Sequence, residues 1–306
     1  MKSKKTDGIT VFLFLLPALI LFLGILIAPL FMSGYYSLFE YKSTNPEMKY
    51  IGLENYKTLS LFKAPDASMF GAPAMHVAII HVFVLAGLSL VLQLPLSLGL
   101  ALLLGRGIRG ERFFLSVFFL PVLISTTVIG RLWEKIFAAE GLVNSILSGL
   151  GIIKEPILWL AESQGNLMLV AIFVPMLWQY VGYHMLLMYA GVKSVPKELR
   201  EAAKIDGATN WQVDRYVVIP SMKQVLKVSF IFAVTGSLKS YDLIAVMAPQ
   251  GIKTKAAAVP STVLHDFLTN RSNYGIGSAI AMVLIILCFF FALLINLLFR
   301  DKDGKG

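Results

Sequence analysis

Side chains able to recognise a polar molecule stand here inside stretches that are otherwise apolar. WQYVGYH at 178–184 supplies Trp178, Gln179, Tyr180, Tyr183 and His184 within one such run, and SLKSYD at 237–242 supplies Ser237, Lys239, Tyr241 and Asp242 in another. RLWEK at 131–135 adds Trp133, while Gln93 and Asn296 are single amides in two further runs. At helical spacing Gln179 and Tyr183 share one face and Tyr180 and His184 the neighbouring one, with Gly182 opening room beside Trp178. Lys239 and Asp242, three apart, are placed to pair across one turn. Flat aromatic surfaces for a ring and directional donors and acceptors for hydroxyls are what recognition of a sugar-like solute requires. The competing reading makes the same groups hydrogen-bonding glue between helices, or anchors at the ends of spans. Covalent and metal chemistry find no footing. There is no HExxH stretch, the four histidines (His76, His81, His184, His265) lack ligand spacing, and Cys288 is single.

The elements that carry these groups are membrane spans. Hydrophobic residues make up 57% of the 306, charged residues 15%, and mean hydropathy is +0.74. A soluble domain is about 25% charged, and several apolar runs reach the ~20 residues that cross a hydrocarbon core as helix. The pattern predicts an all-α, polytopic membrane protein of about six transmembrane helices, near 11–36, 76–104, 113–137, 167–191, 225–248 and 276–299. The run 11–36 is too long for a signal peptide core and reads as an uncleaved span. Prolines 17, 29, 95, 121 and 175 fall within spans, where each removes a backbone donor and predicts a kink or break. In domain terms the chain reads as an N-terminal tail (1–10), a first span (11–36), an external loop (37–75), a transmembrane core (76–299) containing a polar insert (193–222), and a C-terminal tail (300–306).

Basic residues orient the chain. RGIRGER at 106–112, the insert with Lys193, Lys197, Arg200, Lys204 and Arg215, and both termini are rich in Lys and Arg, whereas the alternate loops are poorer. The positive-inside rule then puts both termini and the insert in the cytoplasm, and the net charge of +9 reports orientation in a lipid bilayer with no need for a nucleic-acid partner. The external segments are 37–75, containing YIGLENYKTL and KAPDASMFGAPAM, 138–166, containing the mildly amphipathic GLVNSILSGLGI that either lies in the interface or packs on the bundle, and 249–275, with Pro249, Gly251 and Pro260.

The insert reads as a helix–turn–helix. Ser194 and Pro196 mark a start, Glu198 and Glu201 favour its positive end, and Ala202 and Ala203 leave a surface that another protein can approach closely. Gly207 permits a sharp change of direction, Thr209 to Gln212 fits a capping box, and the second helix is expected to stop near Pro220.

This segment resembles the cytoplasmic signature of permeases of binding-protein-dependent ABC importers: Glu-Ala-Ala, three residues, Gly, nine residues, then I-x-L-P. Here it reads Glu201-Ala202-Ala203, Gly207, then Val217-Val218-Ile219-Pro220. PKELREAAKIDGATNWQ is similar to the carbohydrate branch, as are YIGLENY, RLWEKIF, GLVNSIL, ILWL and SLKSYDLI, so the likeness covers nearly the whole chain and is nearest to the first permease of heteromeric, maltose-type sugar importers. It departs at AVMAPQGIKTKAAAVPS, 245–261, where that branch has a Gly-Gly-Pro turn.

The resemblance implies a transport subunit that translocates a sugar or oligosaccharide by alternating access. The insert would be the coupling helix, offering Lys197, Glu198, Glu201, Ala202, Ala203, Ile205, Asp206 and Gly207 to an ATPase. The passage would be lined from Trp133, Trp178, Gln179, Tyr180, Tyr183, His184, Ser237, Tyr241 and Asp242. Implied partners are a second permease subunit, two ATPase subunits that use ATP and Mg, and an extracytoplasmic solute-binding protein, all at a bacterial cytoplasmic membrane. The chain itself would bind no cofactor: it has no G-x-x-x-x-G-K-[ST] loop, and GLGIIKE at 149–155 lacks that spacing. The alternatives are an importer of phosphate, amino acids or peptides, and an ion-coupled secondary transporter.

Overall fold

The computed structural model describes residues 4–59, 75–248 and 255–300. Most of KAPDASMFGAPAM, Pro249 and Gly251, and the C-terminal tail from 301 lie outside the described residues. Five helices are long and apolar enough to span a membrane: Thr10–Tyr36, Met75–Gly105, Asn166–Ser194, Lys223–Met247 and Tyr274–Leu298. These match the expected first, second, fourth, fifth and sixth spans.

The third differs from the expected single helix over 113–137. It is a pair, Glu111–Leu123 and Thr126–Ile136, bent by 95°. Pro121 lies within the first piece and cannot donate, and Ile124 and Ser125 are extended (ψ 138° and 132°), so the chain leaves the helix before restarting. The second piece buries Ile129 and Gly130 and leaves Arg131 and Glu134 exposed, joined at 2.8 Å. Polar RLWEK therefore belongs to a helix lying across the direction of its predecessor.

Three other prolines are handled by widening the helix. Pro29, Pro95 and Pro220 each follow a π turn, over Phe22–Ile27, Ser89–Gln93 and Asp214–Val218. In each case the residue before the proline donates five residues back: Ala28 to Leu23, Leu94 to Ser89, Ile219 to Asp214. The wider turn takes the carbonyls away from the proline ring, so the helix continues where a break was expected. The second insert helix closes at Ser221, next to Pro220 as expected, before the fifth span begins at Lys223.

The chain forms two compact units, one of residues 1–60 and 264–283, the other of 61–263 and 284–306. In the first, the expected loop after span one contains an antiparallel hairpin, β1 (Phe39–Lys42) and β2 (Asn45–Tyr50), then a short helix Glu54–Thr58. Asn55 Nδ2 donates to the Ser37 and Phe39 carbonyls at 2.8 and 2.9 Å, and Ser43 N donates to Ser272 O at 2.9 Å. Buried Asp266 is held by Arg271 at 2.8 Å.

The second unit has two apolar clusters. One joins Leu85, Ile129, Met168, Ile172, Leu238, Ile244 and Val259; the other joins Leu94, Leu104, Met185, Met188, Val192, Val213, Val218 and Met222. The segment 138–166 packs on the bundle, one of its two expected placements. Asn144 is buried and donates to the Ala138, Ala139 and Ile157 carbonyls while accepting from Ile157 N and Trp159 Nε1, all at 2.9–3.2 Å. Val143, Trp159 and Leu160 pack on the first cluster, whereas Leu142, Ile146 and Leu150 remain exposed.

Gly182 serves close approach of backbones. A Cβ there would run into the Phe118 carbonyl of the third span, so the expected room beside Trp178 is occupied by a neighbouring helix. Gly182→Val is expected to lower the apparent melting temperature of the purified protein by several degrees, since such overpacking costs roughly 1–3 kcal/mol. Gly99→Ala, which meets nothing within 4 Å, leaves it unchanged.

Candidate functional site

Between the two apolar clusters the same spans turn polar. Going down the second span, Leu85 belongs to one cluster, Ser89 and Gln93 follow, and Leu94 opens the other. The fourth runs from Ile172 through Tyr180, Tyr183 and His184 to Met185 and Met188. Facing them, the fifth span ends its helix at Leu238 and restarts at Asp242. These segments enclose a cavity of about 470 Å³ lined by Ser89, Gln93, Thr126, Met176, Tyr180, Tyr183, His184, Phe232, Ser237, Lys239, Ser240, Tyr241 and Asp242, among others.

Six of the nine expected passage residues line it: Tyr180, Tyr183, His184, Ser237, Tyr241 and Asp242. Three do not. Trp178 packs edge-on against Trp133 at 6.1 Å, and Trp133 packs in turn against Phe137, making an aromatic stack beside the cavity wall. Gln179 is buried behind the lining, its Nε2 3.4 Å from Thr126 Oγ1. The polar lining residues not singled out as passage candidates are Ser89, Gln93, Thr126, Thr235, Lys239 and Ser240. Small hydroxyl residues in an apolar run give little signal, and Thr126 arrives through the bend in the third span. The π turn Ser89–Gln93 is itself part of the wall, which rotates both ends of that turn inward. Lys239 and Asp242 sit on either side of the helix break, so they do not share the one-turn spacing expected of them.

The wall offers chemistry for a neutral polar guest. Ser89 Oγ and Ser237 Oγ lie 3.2 Å apart, and Ser237 also donates to the Ala233 carbonyl at 2.9 Å. Among the described residues His184 Nδ1 and Ser240 Oγ are buried without a hydrogen-bond partner, and each can bond to a solute hydroxyl. Tyr183 stands edge-on to His184 at 5.3 Å, leaving both aromatic groups at the lining.

The second feature is the insert. Its first helix is Lys197–Ile205 with Pro196 as N-cap; Ser194 instead closes the fourth span, its hydroxyl bonded to the Gly191 carbonyl. The turn is a Schellman motif: Gly207 N donates to Lys204 O and Ala208 N to Ala203 O, both at 3.0 Å, with Gly207 at φ +84°. Thr209 and Gln212 form the expected capping box, with Thr209 N donating to Gln212 Oε1 at 2.7 Å and Gln212 N to Thr209 Oγ1 at 3.3 Å.

Of the eight expected coupling residues, Lys197, Glu198, Glu201, Ala202, Ile205, Asp206 and Gly207 are exposed. Ala203 is half-buried against the second apolar cluster, where the helix lays one face on the bundle, and it also lines an open hollow with Asp206 and Gly207. Beside the expected Ile205, 86% exposed, the exposed face carries large apolar residues that polarity alone did not single out, with Tyr216 74%, Trp211 65% and Leu199 49% exposed. Such residues outside the spans were the available signal for a docking face.

Residues 4–303 match the family described as binding-protein-dependent transport system inner membrane component. A probable ABC transporter permease of Bacillus subtilis (YurN) is 34% identical, covering 96% of both chains. An osmoprotective compounds uptake permease of Synechocystis (GgtC) is 33% identical over 90% of this chain and 93% of its own. A trehalose/maltose transport system permease of Thermococcus litoralis (MalF) is 28% identical over 95% and 94%. Among solved structures, a bacterial ABC transporter involved in import of the acidic polysaccharide alginate superposes with TM-score 0.80, at 23% identity and 98% coverage of both chains, which is a likeness of fold.

Thr209→Ala removes the cap and is expected to cost the insert about 1 kcal/mol. Gly207→Ala forces a side chain into left-handed backbone at roughly 1–2 kcal/mol. Hydrogen–deuterium exchange should show faster exchange in both variants at amides 203–213, with protection over 180–192 retained.

Proposed function

The chain belongs to the binding-protein-dependent transport system inner membrane components, and on that premise we propose that it is one permease subunit of an importer for a sugar or oligosaccharide. The observation that carries the sugar reading is the cavity between the two apolar clusters, whose wall joins aromatic, hydroxyl and amide groups to aliphatic side chains, with one histidine, one lysine and one aspartate. Tyrosine faces provide apolar contact for a pyranose ring, and Ser89, Gln93, His184 and Ser237 provide directed bonds to its hydroxyls. Relatives named for trehalose/maltose and for multiple sugars support the same class.

In this reading the chain is multi-pass in a bacterial cytoplasmic membrane with both termini inside, as its basic loops require. It has no ATPase site of its own and binds no cofactor; two partner ATPase subunits use ATP and Mg. A second permease completes the passage, and a solute-binding protein delivers the cargo outside. A structure similar in fold is a complex with an alginate-pentasaccharide-bound periplasmic protein, which supports such a partner.

The mechanism follows from the placement of the two features. Leu199, Ala202, Ile205 and Trp211 on the exposed face of the insert seat in the ATPase, with Lys197, Glu198, Glu201 and Asp206 as a polar rim. Closure of the ATPase pair displaces the inserts, and the bundles rock until the cavity faces outward. The delivered sugar trades its water for the tyrosine and hydroxyl wall. Hydrolysis lets the inserts part, and the cavity opens inward. A zwitterionic solute is the second reading, favoured by the presence of both Lys239 and Asp242 at the wall.

The test is the complex purified with its neighbouring subunits and assayed for ATP hydrolysis with the binding protein across sugars, amino acids and betaines. Stimulation by sugars alone is expected, and stimulation by a zwitterion alone transfers the assignment to the second reading. Ala202→Trp, bulky on the exposed face, should abolish stimulation while leaving the permease pair assembled. Tyr180→Ala with Tyr183→Ala should lower uptake roughly tenfold, as loss of about 1.4 kcal/mol of solute binding requires, with assembly unchanged. Equal loss of uptake and assembly would assign those tyrosines to packing.

A further inference from the structure

We propose that the Arg106–Asp214 ion pair is the positioning link through which movement of the cytoplasmic insert is passed to the second span and so to the cavity wall. The inference rests on the transport reading above and concerns how one part of the chain drives another.

Arg106 caps the C-terminal end of helix Leu94–Gly105, and its Nη2 donates to Asp214 Oδ2 at 2.6 Å. Asp214 opens the π turn in the second leg of the insert, and its carbonyl takes the Ile219 amide ahead of Pro220. Its side chain is 9% exposed and that of Arg106 42%, so the contact is shielded on the insert side and wet on the other. A charged hydrogen bond of this kind has a fixed direction. Val213 and Val218, one before and four after Asp214, pack into the apolar cluster, whose contacts carry no preferred direction. Among the described residues, the ion pair is the charged, directional contact that holds the second leg to the second span.

The first leg is fastened elsewhere. Arg200 Nη2 donates to the Val192 carbonyl at the cytoplasmic end of the fourth span. The two legs, joined at the Gly207 turn, are thus tied by separate cations to two different spans. Those spans touch at Gly105, where a Cβ would run into Val192, so the contact is a close pivot. A change in the angle between the legs turns one span against the other about that point. Following the second span upward from Arg106, the π turn Ser89–Gln93 at the cavity wall lies about 20 Å away by helical rise. The pair and the cavity are at two points of one continuous element, Met75–Gly105.

The test uses the full importer in proteoliposomes and reads solute taken up per ATP hydrolysed, alongside complex yield and melting temperature. Asp214→Asn keeps the shape and removes the charge. It is expected to lower uptake per ATP roughly fivefold, the lower range of coupling between sites, with yield and melting temperature held at wild-type values. Arg106→Lys, which keeps the charge without the fork, gives an intermediate ratio. The double reversal Arg106→Asp with Asp214→Arg recovers most of it. An unchanged ratio in Asp214→Asn overturns the link, as does a ratio that falls only in step with yield and melting temperature. Failure of every variant to assemble, the reversal included, assigns the pair to folding and also overturns it. A wild-type complex that hydrolyses ATP but moves no solute sinks the transport reading itself, and that result is distinct from a transporting wild type with indifferent variants.

Discussion

Inside a bilayer no water is available to satisfy a backbone amide or carbonyl, so every span must close its own hydrogen bonds or surrender the position to a cavity. Prolines put that constraint under strain, and the chain meets them in two ways. Ahead of Pro29, Pro95 and Pro220 the helix widens by one residue and donates five back, keeping the ladder intact. After Pro121 it gives way, and the following piece sets off at 95°. The cavity is built where these events occur. The π turn before Pro95 is part of its wall, the bend after Pro121 brings in Thr126, and the helix break after Leu238 brings in Lys239, Ser240 and Tyr241. Three of the departures from regular helix, in the second, third and fifth spans, meet at the polar middle of the second unit, where polar side chains and a cavity accommodate them.

The insert shows the opposite economy. In water its backbone could be irregular without penalty, yet each turn is closed by a defined motif. A Schellman turn at Gly207 is followed at once by a capping box at Thr209. Rigidity of that kind is wasted in a loop that only joins spans and is needed in one that transmits force. Its apolar surface is divided accordingly. Ala203, Val213 and Val218 face the bundle, and Leu199, Ile205, Trp211 and Tyr216 face outward. In the proposed reading this element holds two surfaces at once, its own bundle and an ATPase. Alternating small and large apolar residues on a charged helix provide both.

Five of the spans, the insert and its turn were legible in the residues because each depends on neighbours in sequence. Hydropathy over some 20 residues, a glycine after a charged helix and a Thr-x-x-Gln box are local signals with local causes. The nine passage candidates were legible only in part. Tyr180, Tyr183, His184, Ser237, Tyr241 and Asp242 reach the cavity, whereas Trp133, Trp178 and Gln179 do not. On a helix inside a bundle every direction is polar-poor, so an aromatic or an amide gives no hint whether it faces a void or another helix. Gly182 illustrates this: a small residue beside a tryptophan looked like space, and the Phe118 backbone fills it.

Membrane residence, the positions of five spans and the likeness of residues 198–220 to a coupling signature followed from composition and spacing, because the bilayer imposes those rules on any helical chain. What needed the folded chain was every relation between distant segments. It set which faces of the second, fourth and fifth spans enclose the cavity, and it turned Ala203 inward. It also brought Asp214 to Arg106 across 108 positions of sequence. The third span broke rather than bent. These outcomes depend on how side chains from separate spans share one volume, and that competition has no counterpart along a single strand of sequence.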